Sequence, residues 1–101
     1  MLFRSYTPID QSTAERVRAV LEDVVKSGTG TAASLTEYNI QVAGKTGTAE
    51  TGGDDNSWFV GMAPSNGAKY VVAITVEGNK DATVLAREVL EASLREAGVI
   101  K

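Results

Sequence analysis

Residues 69–77 place the strongest limit on the fold: Tyr70, Val72, Ile74 and Val76 fall on one face of an extended segment, and Val71 and Ala73 on the other. A strand apolar on both faces belongs inside a sheet, covered above and below. Asn66-Gly67 ahead of it is a strong tight-turn signal. Before that, Ser57-Trp58-Phe59-Val60-Gly61-Met62-Ala63, closed by Pro64, reads as another strand. A period of two also holds from Ile40: Val42, Gly44, Thr46 and Thr48 share its face, while Gln41, Ala43, Lys45, Gly47 and Ala49 share the opposite one. Three strands in succession, joined by polar turns such as 51–56, predict an antiparallel sheet.

Helical periodicity flanks these strands. Val17, Val20, Leu21, Val24 and Val25 form one apolar stripe, Ser12 and Glu15 have the spacing of a capping box, and Gly28 stands where a left-handed residue would stop the helix. Gly28-Thr29-Gly30-Thr31 then reads as a turn leading to a short Ala32-Ala33-Ser34-Leu35 piece. Residues 81–97 predict a second helix with Arg87, Glu88, Glu91 and Arg95 on its polar side. Ala82, Leu85, Ala86, Val89, Leu90 and Ser93 face away from that side, and Gly98 ends the helix. The fold class is therefore α+β: three antiparallel strands flanked by an N-terminal and a C-terminal helix, in a single domain spanning 1–101.

Composition narrows the chemistry. The 101 residues contain no Cys and no His, which removes thiol nucleophiles, Cys/His zinc sites and imidazole bases, and leaves Lys, Ser, Thr, Tyr and carboxylates. No metal and no cofactor is implied. A net charge of −3 without a run of like charge gives no basis for binding nucleic acid or anionic lipid. The apolar run 70–76 is too short to cross a bilayer, and Met1-Leu2-Phe3-Arg4 has no apolar stretch behind it, so the chain reads as soluble and without an export signal.

One segment breaks the local rules for a strand. Ala43-Gly44-Lys45-Thr46-Gly47-Thr48-Ala49 puts two glycines, a lysine and two hydroxyls where a core strand uses branched apolar residues. Such violations concentrate at functional sites. Gly47 shares a face with Lys45 and leaves space beside its ammonium, so another molecule's backbone has room to approach. Lys45 supplies positive charge, and Thr46 and Thr48 supply hydroxyl donors on the opposite face, a set suited to a carboxylate. A free strand edge there would accept an extended peptide and offer an amide to an oxyanion. Gly44-Lys45-Thr46 is not a phosphate loop, which needs Gly at the position of Asn39 and a helix directly afterwards.

Val42-Ala43-Gly44-Lys45-Thr46-Gly47-Thr48-Ala49-Glu50, followed by Trp58-Phe59-Val60-Gly61-Met62-Ala63-Pro64 and preceded by Val24-Val25 and Gly28-Thr29-Gly30-Thr31-Ala32, closely resembles the end of the transpeptidase domain of class B penicillin-binding proteins. The resemblance runs from about Ile9 to the C-terminal helix. It implies the penicillin-binding transpeptidase and serine β-lactamase-like fold, a five-stranded sheet whose Lys-Thr-Gly strand borders a serine acyltransferase site. It further implies that the parent protein cross-links peptidoglycan stem peptides, is acylated by β-lactams, and works at the extracytoplasmic face of the bacterial cell membrane. Residue by residue, Lys45 would bring charge and join proton transfer, Thr46 and Thr48 would hold the carboxylate, the Thr48 amide would serve the oxyanion, and Gly47 would keep the groove open. Trp58 and Phe59 are expected to be packing residues, and Glu50 receives no role.

The same family reaction needs a nucleophilic Ser followed three residues later by Lys, and a Ser-x-Asn element. The seven serines, Ser5, Ser12, Ser27, Ser34, Ser57, Ser65 and Ser93, have Pro8, Glu15, Gly30, Glu37, Val60, Ala68 and Glu96 at that place, and none has Asn two residues on. The chain alone is therefore expected not to turn over substrate. Strand 69–77 would normally pair with a first strand not found here, so a missing part of the domain or another copy is expected at that edge. Alternative readings are a serine β-lactamase or β-lactam sensor, which share the lysine motif, and a non-catalytic peptide-binding α+β module.

Overall fold

The computed structural model describes residues 8–50, 52–53, 55–78 and 80–101. The sequence features at 1–7, including Met1-Leu2-Phe3-Arg4 and Ser5, lie outside the described residues, as do Thr51 and Asp54 of the polar connection. Helix α1 (Gln11–Ser27) is followed by two single 3-10 turns, Thr31–Ala33 and Thr36–Tyr38. Strands β1 (Ala43–Ala49), β2 (Asn56–Ala63) and β3 (Tyr70–Val76) come next, then helix α2 (Ala82–Glu96). The sheet is antiparallel in the order β1-β2-β3, so the predicted α+β architecture is the one observed.

Register assigns the sheet its two faces. Thr46 pairs with Phe59 and Phe59 with Ile74, whereas Lys45 pairs with Val60 and Val60 with Ala73. The first set lies on the face that carries the core: Phe59 and Ala63 are buried together with Ala82, Ala86, Leu90 and Leu94 of α2, and Val72, Ile74 and Val76 pack against them. Glycines let the largest of these side chains settle. A Cβ at Gly44 would stand 2.4 Å from Phe59 Cζ, and one at Gly61 2.4 Å from Phe59 Cε2, so the ring lies over a cross-strand glycine pair that no other residue could replace without moving it.

Several expectations are corrected. Helix α1 starts one residue before Ser12, with Asp10 as its N-cap and no side-chain cap bond, so the Ser12/Glu15 capping box does not form; Glu15 accepts from Gln11 Nε2 at 3.1 Å. Gly28 has φ −104° rather than a left-handed value. It is required for contact instead, because a Cβ there would lie 3.0 Å from the Val24 carbonyl oxygen. The apolar stripe of α1 is only partly covered: Val25 is buried, but Val17 and Val20 are exposed. On α2 the buried line is Ala82, Thr83, Ala86, Leu90 and Leu94, while Leu85 and Val89 face solvent. Two anchors set that rotation. The Ala82 amide donates to Ser57 Oγ at 3.0 Å, and Arg87 donates to the Ser34 carbonyl at 3.1 Å and pairs with Glu37. Small Ala82 and Ala86 then allow the helix to lie close to the sheet.

The ends of α2 follow their sequence signals. Asp81 accepts from the Thr83 amide at 2.9 Å, and Gly98, at φ +78°, closes a Schellman motif with Gly98 N–H donating to Arg95 O and Val99 N–H to Leu94 O. Arg95 reaches the Tyr38 hydroxyl and Glu91, and these partners hold its guanidinium above the usual arginine value. A basic group raised in this way adds stability below its ordinary value and loses it only beyond, so it brings no pH dependence near neutrality.

Strand β3 lies at an edge of the sheet although its residues are apolar on both faces. Its only strand neighbour among the described residues is β2, and Val71 is 72% exposed. The β2–β3 connection is also longer than a two-residue turn: residues 64–69 complete it, with Gly67 at φ +68° and the Lys69 amide donating to Ala63 O at 3.2 Å. Ser65 ties this loop to the rest by donating its amide to Gln41 O at 2.7 Å and its hydroxyl to Glu22 of α1.

Candidate functional site

β1 is the other edge of the sheet, and it carries all four motif residues. Lys45 is exposed, and its Nζ turns back to donate to the Thr46 carbonyl at 2.7 Å. Gly47 is exposed beside it; a Cβ there would meet only Trp58 Cβ, at 3.7 Å, an ordinary contact. The space next to the ammonium is therefore open, in contrast to the tightly occupied space above Gly44. Thr46 is half-buried and Thr48 exposed, both on the opposite face from Lys45.

Lys45 and Gly47 are thus brought together on one face, with Val60 and Trp58 as their cross-strand partners. Thr46 and Thr48 are brought together on the other. The two sets meet only along the strand edge, which faces no neighbouring strand among the described residues and so leaves backbone groups available to an incoming chain.

Two of the cavities lined by the described residues have volumes of about 280 Å³. One holds Thr48 with Asp55, Ser57, Lys80 and Asp81, a polar depression at the end of β1. The other lies between α1 and residues 34–42, lined by Glu22, Val25 and Lys26 among others, and touches none of Lys45, Thr46, Gly47 or Thr48. The motif residues, rather than cavity size, mark the site, since an edge strand with a cationic side chain binds along its length and not in a hole. Among the described residues there is no cluster of acidic side chains suited to a metal.

The structure adds one residue, Thr29, and corrects another, Trp58. Thr29, in the turn after α1, has its hydroxyl 2.5 Å from that of Thr46. Seventeen residues separate them, so no local pattern announced the pair. Phe59 is the packing residue expected, but Trp58 is 46% exposed on the Lys45 face and does not join the core. Adjacent positions on a strand point to opposite faces, so an aromatic pair there cannot be buried on one side together.

The match of residues 5–95 to the penicillin binding protein transpeptidase domain places the chain in that family. It is 33% identical over 106 aligned residues to stage V sporulation protein D of Bacillus subtilis, an alignment covering 90% of this chain and 16% of that protein. The D,D-transpeptidase domain of a peptidoglycan glycosyltransferase from Eggerthella lenta superposes with a TM-score of 0.83 at 43% identity, over 97% of this chain and 25% of the solved one. Penicillin-binding protein A of Mycobacterium tuberculosis, solved as an imipenem acyl-enzyme complex, gives 0.74 at 28% identity over 91% of this chain and 21% of that one. The chain thus spans a sixth to a quarter of the length of these three. No described helix is long and apolar enough to cross a membrane.

Proposed function

We propose that these residues form the Lys-Thr-Gly wall of a serine D,D-transpeptidase site that cross-links peptidoglycan and is acylated by β-lactams. The observation that carries the reading is the open edge strand of a chain in this family, with Lys45 and Gly47 unobstructed on one face and Thr46 and Thr48 on the other. In this reading Lys45 contributes charge and proton transfer, and Thr46 and Thr48 hold the carboxylate of a stem peptide or antibiotic. The Thr48 amide faces the oxyanion, while Gly47 keeps the groove passable. Since no Ser here is followed three residues later by Lys, the acylated Ser comes from polypeptide outside these residues. The unpaired edge at 69–77 takes that polypeptide or a second copy, and the working location is the outer face of the cell membrane.

Labelling with a fluorescent penicillin tests the reading. The 101 residues alone are expected to show no covalent capture; capture by them would overturn the assignment of the nucleophile elsewhere. Once the chain is completed by a polypeptide bearing Ser-x-x-Lys, capture appears and falls at least about tenfold with Lys45→Ala or Thr48→Val, the loss expected when a hydrogen bond to a charged group is removed. Rapid hydrolysis of the acyl-enzyme by the completed domain would favour the β-lactamase alternative. Non-covalent binding of a D-Ala-D-Ala peptide to the chain alone, abolished by Lys45→Ala, would favour the peptide-binding module.

A further inference from the structure

We propose that Thr29 is a positioning residue that points the Thr46 hydroxyl proton at the ligand carboxylate, an inference that rests on the role just given to Thr46. The two hydroxyl oxygens are 2.5 Å apart, and either is able to donate. Each has one proton and two lone pairs. If Thr46 donated to Thr29, an arriving carboxylate would meet lone pairs on Thr46. With Thr29 donating, the Thr46 proton is left for the anion, and two hydroxyls in series polarise one another and strengthen the outer bond. An anion at the strand therefore selects the direction Thr29 to Thr46 to carboxylate, and Thr29 acts without touching the ligand.

The turn that presents Thr29 is held firmly enough for this. The Gly28 amide donates to the carbonyls of Asp23 and Val24, each at 3.1 Å, and the Gly30 amide to Val24 O at 2.9 Å. Both glycines sit hard against the last turn of α1: a Cβ at Gly28 would be 3.0 Å from Val24 O, and one at Gly30 3.3 Å from Val24 Cγ1. At the other end of the pair, the Thr46 carbonyl accepts from Lys45 Nζ at 2.7 Å, so Thr46 is bonded at its backbone and at its side chain. The hydroxyl bridge links this turn directly to the motif strand.

The test uses the transpeptidase domain completed by the polypeptide that carries the acylated Ser, and compares capture rates for a penicillin and for its methyl ester. Thr29→Val is expected to slow capture of the free acid about tenfold, the scale of a hydrogen bond to a charged group, and to leave the ester within about twofold. Thr29→Ser keeps the acid rate, and the Thr29→Val/Thr46→Val double variant is no slower than Thr46→Val alone, as for two groups acting through one bond. An equal loss for acid and ester would reduce Thr29 to structural support and overturn the proposal, as would no loss with Thr29→Val when Thr46→Val does slow the acid. If Thr46→Val itself leaves the acid rate unchanged, the carboxylate role of the strand fails, and this inference with it.

Discussion

Gly44 and Gly47 lie three residues apart on one strand and serve opposite ends. Above Gly44 the absent side chain is replaced by the Phe59 ring, and the position is buried; above Gly47 nothing lies closer than ordinary contact, and the position faces solvent. The same contrast separates the two faces of the sheet. One is filled by Phe59, Ala63 and the small-residue side of α2, while the other leaves Lys45, Trp58, Val60 and Val71 exposed. Glycine thus admits the protein's own core in one place and leaves room for another molecule in the other.

Removing the ring gives the largest effect. Phe59→Ala should lower stability by about 3–5 kcal/mol, the usual loss for a fully buried aromatic, and leave the chain largely unfolded in a urea titration. The glycine contrast itself is tested next. Gly61→Ala and Gly44→Ala force a Cβ into the ring and should each lower stability by about 1–3 kcal/mol. Gly47→Ala should stay within about 0.5 kcal/mol of the parent by the same titration. A comparable loss at all three positions would erase the distinction between filled and open glycines.

Smaller effects address how the filled face is held. Arg87→Met removes the bond to the Ser34 carbonyl and the pairings with Glu37 and Glu91, and should lower stability in the urea titration by about 1 kcal/mol without altering the sheet. Val71→Lys, at the exposed edge, should change stability by less than about 0.5 kcal/mol. Its effect should appear instead in sedimentation velocity, as reduced self-association of the chain. A monomeric parent with no concentration dependence would remove the second copy as the occupant of that edge.

The legible parts of this molecule are those in which a neighbour in sequence is also the neighbour in space. The strands emerged within a residue or so wherever alternation was unbroken, as at β2 and β3, and the Gly98 stop followed from local backbone need. Helix faces were harder. On α2, periodicity grouped Leu85 and Val89 with Ala86 and Leu90, but anchors at Ser57, Ser34 and Glu37, all distant in sequence, turned the helix so that Leu94 is buried and Leu85 is not. The capping box at Ser12 failed for a related reason: its spacing is compatible with a start that the chain does not use.

Sequence by itself determined the class of elements, their order, and the segment that departs from strand chemistry, because alternation, glycine placement and charge are local properties. The family followed from the joint pattern around Lys45. Only the tertiary structure decided that Gly44 and Gly61 cradle Phe59, that Trp58 shares the open face with Lys45, and that Thr29 reaches Thr46. Each of these depends on which residues are brought across from another strand or turn, and packing and register settle that, not the order of residues within one segment.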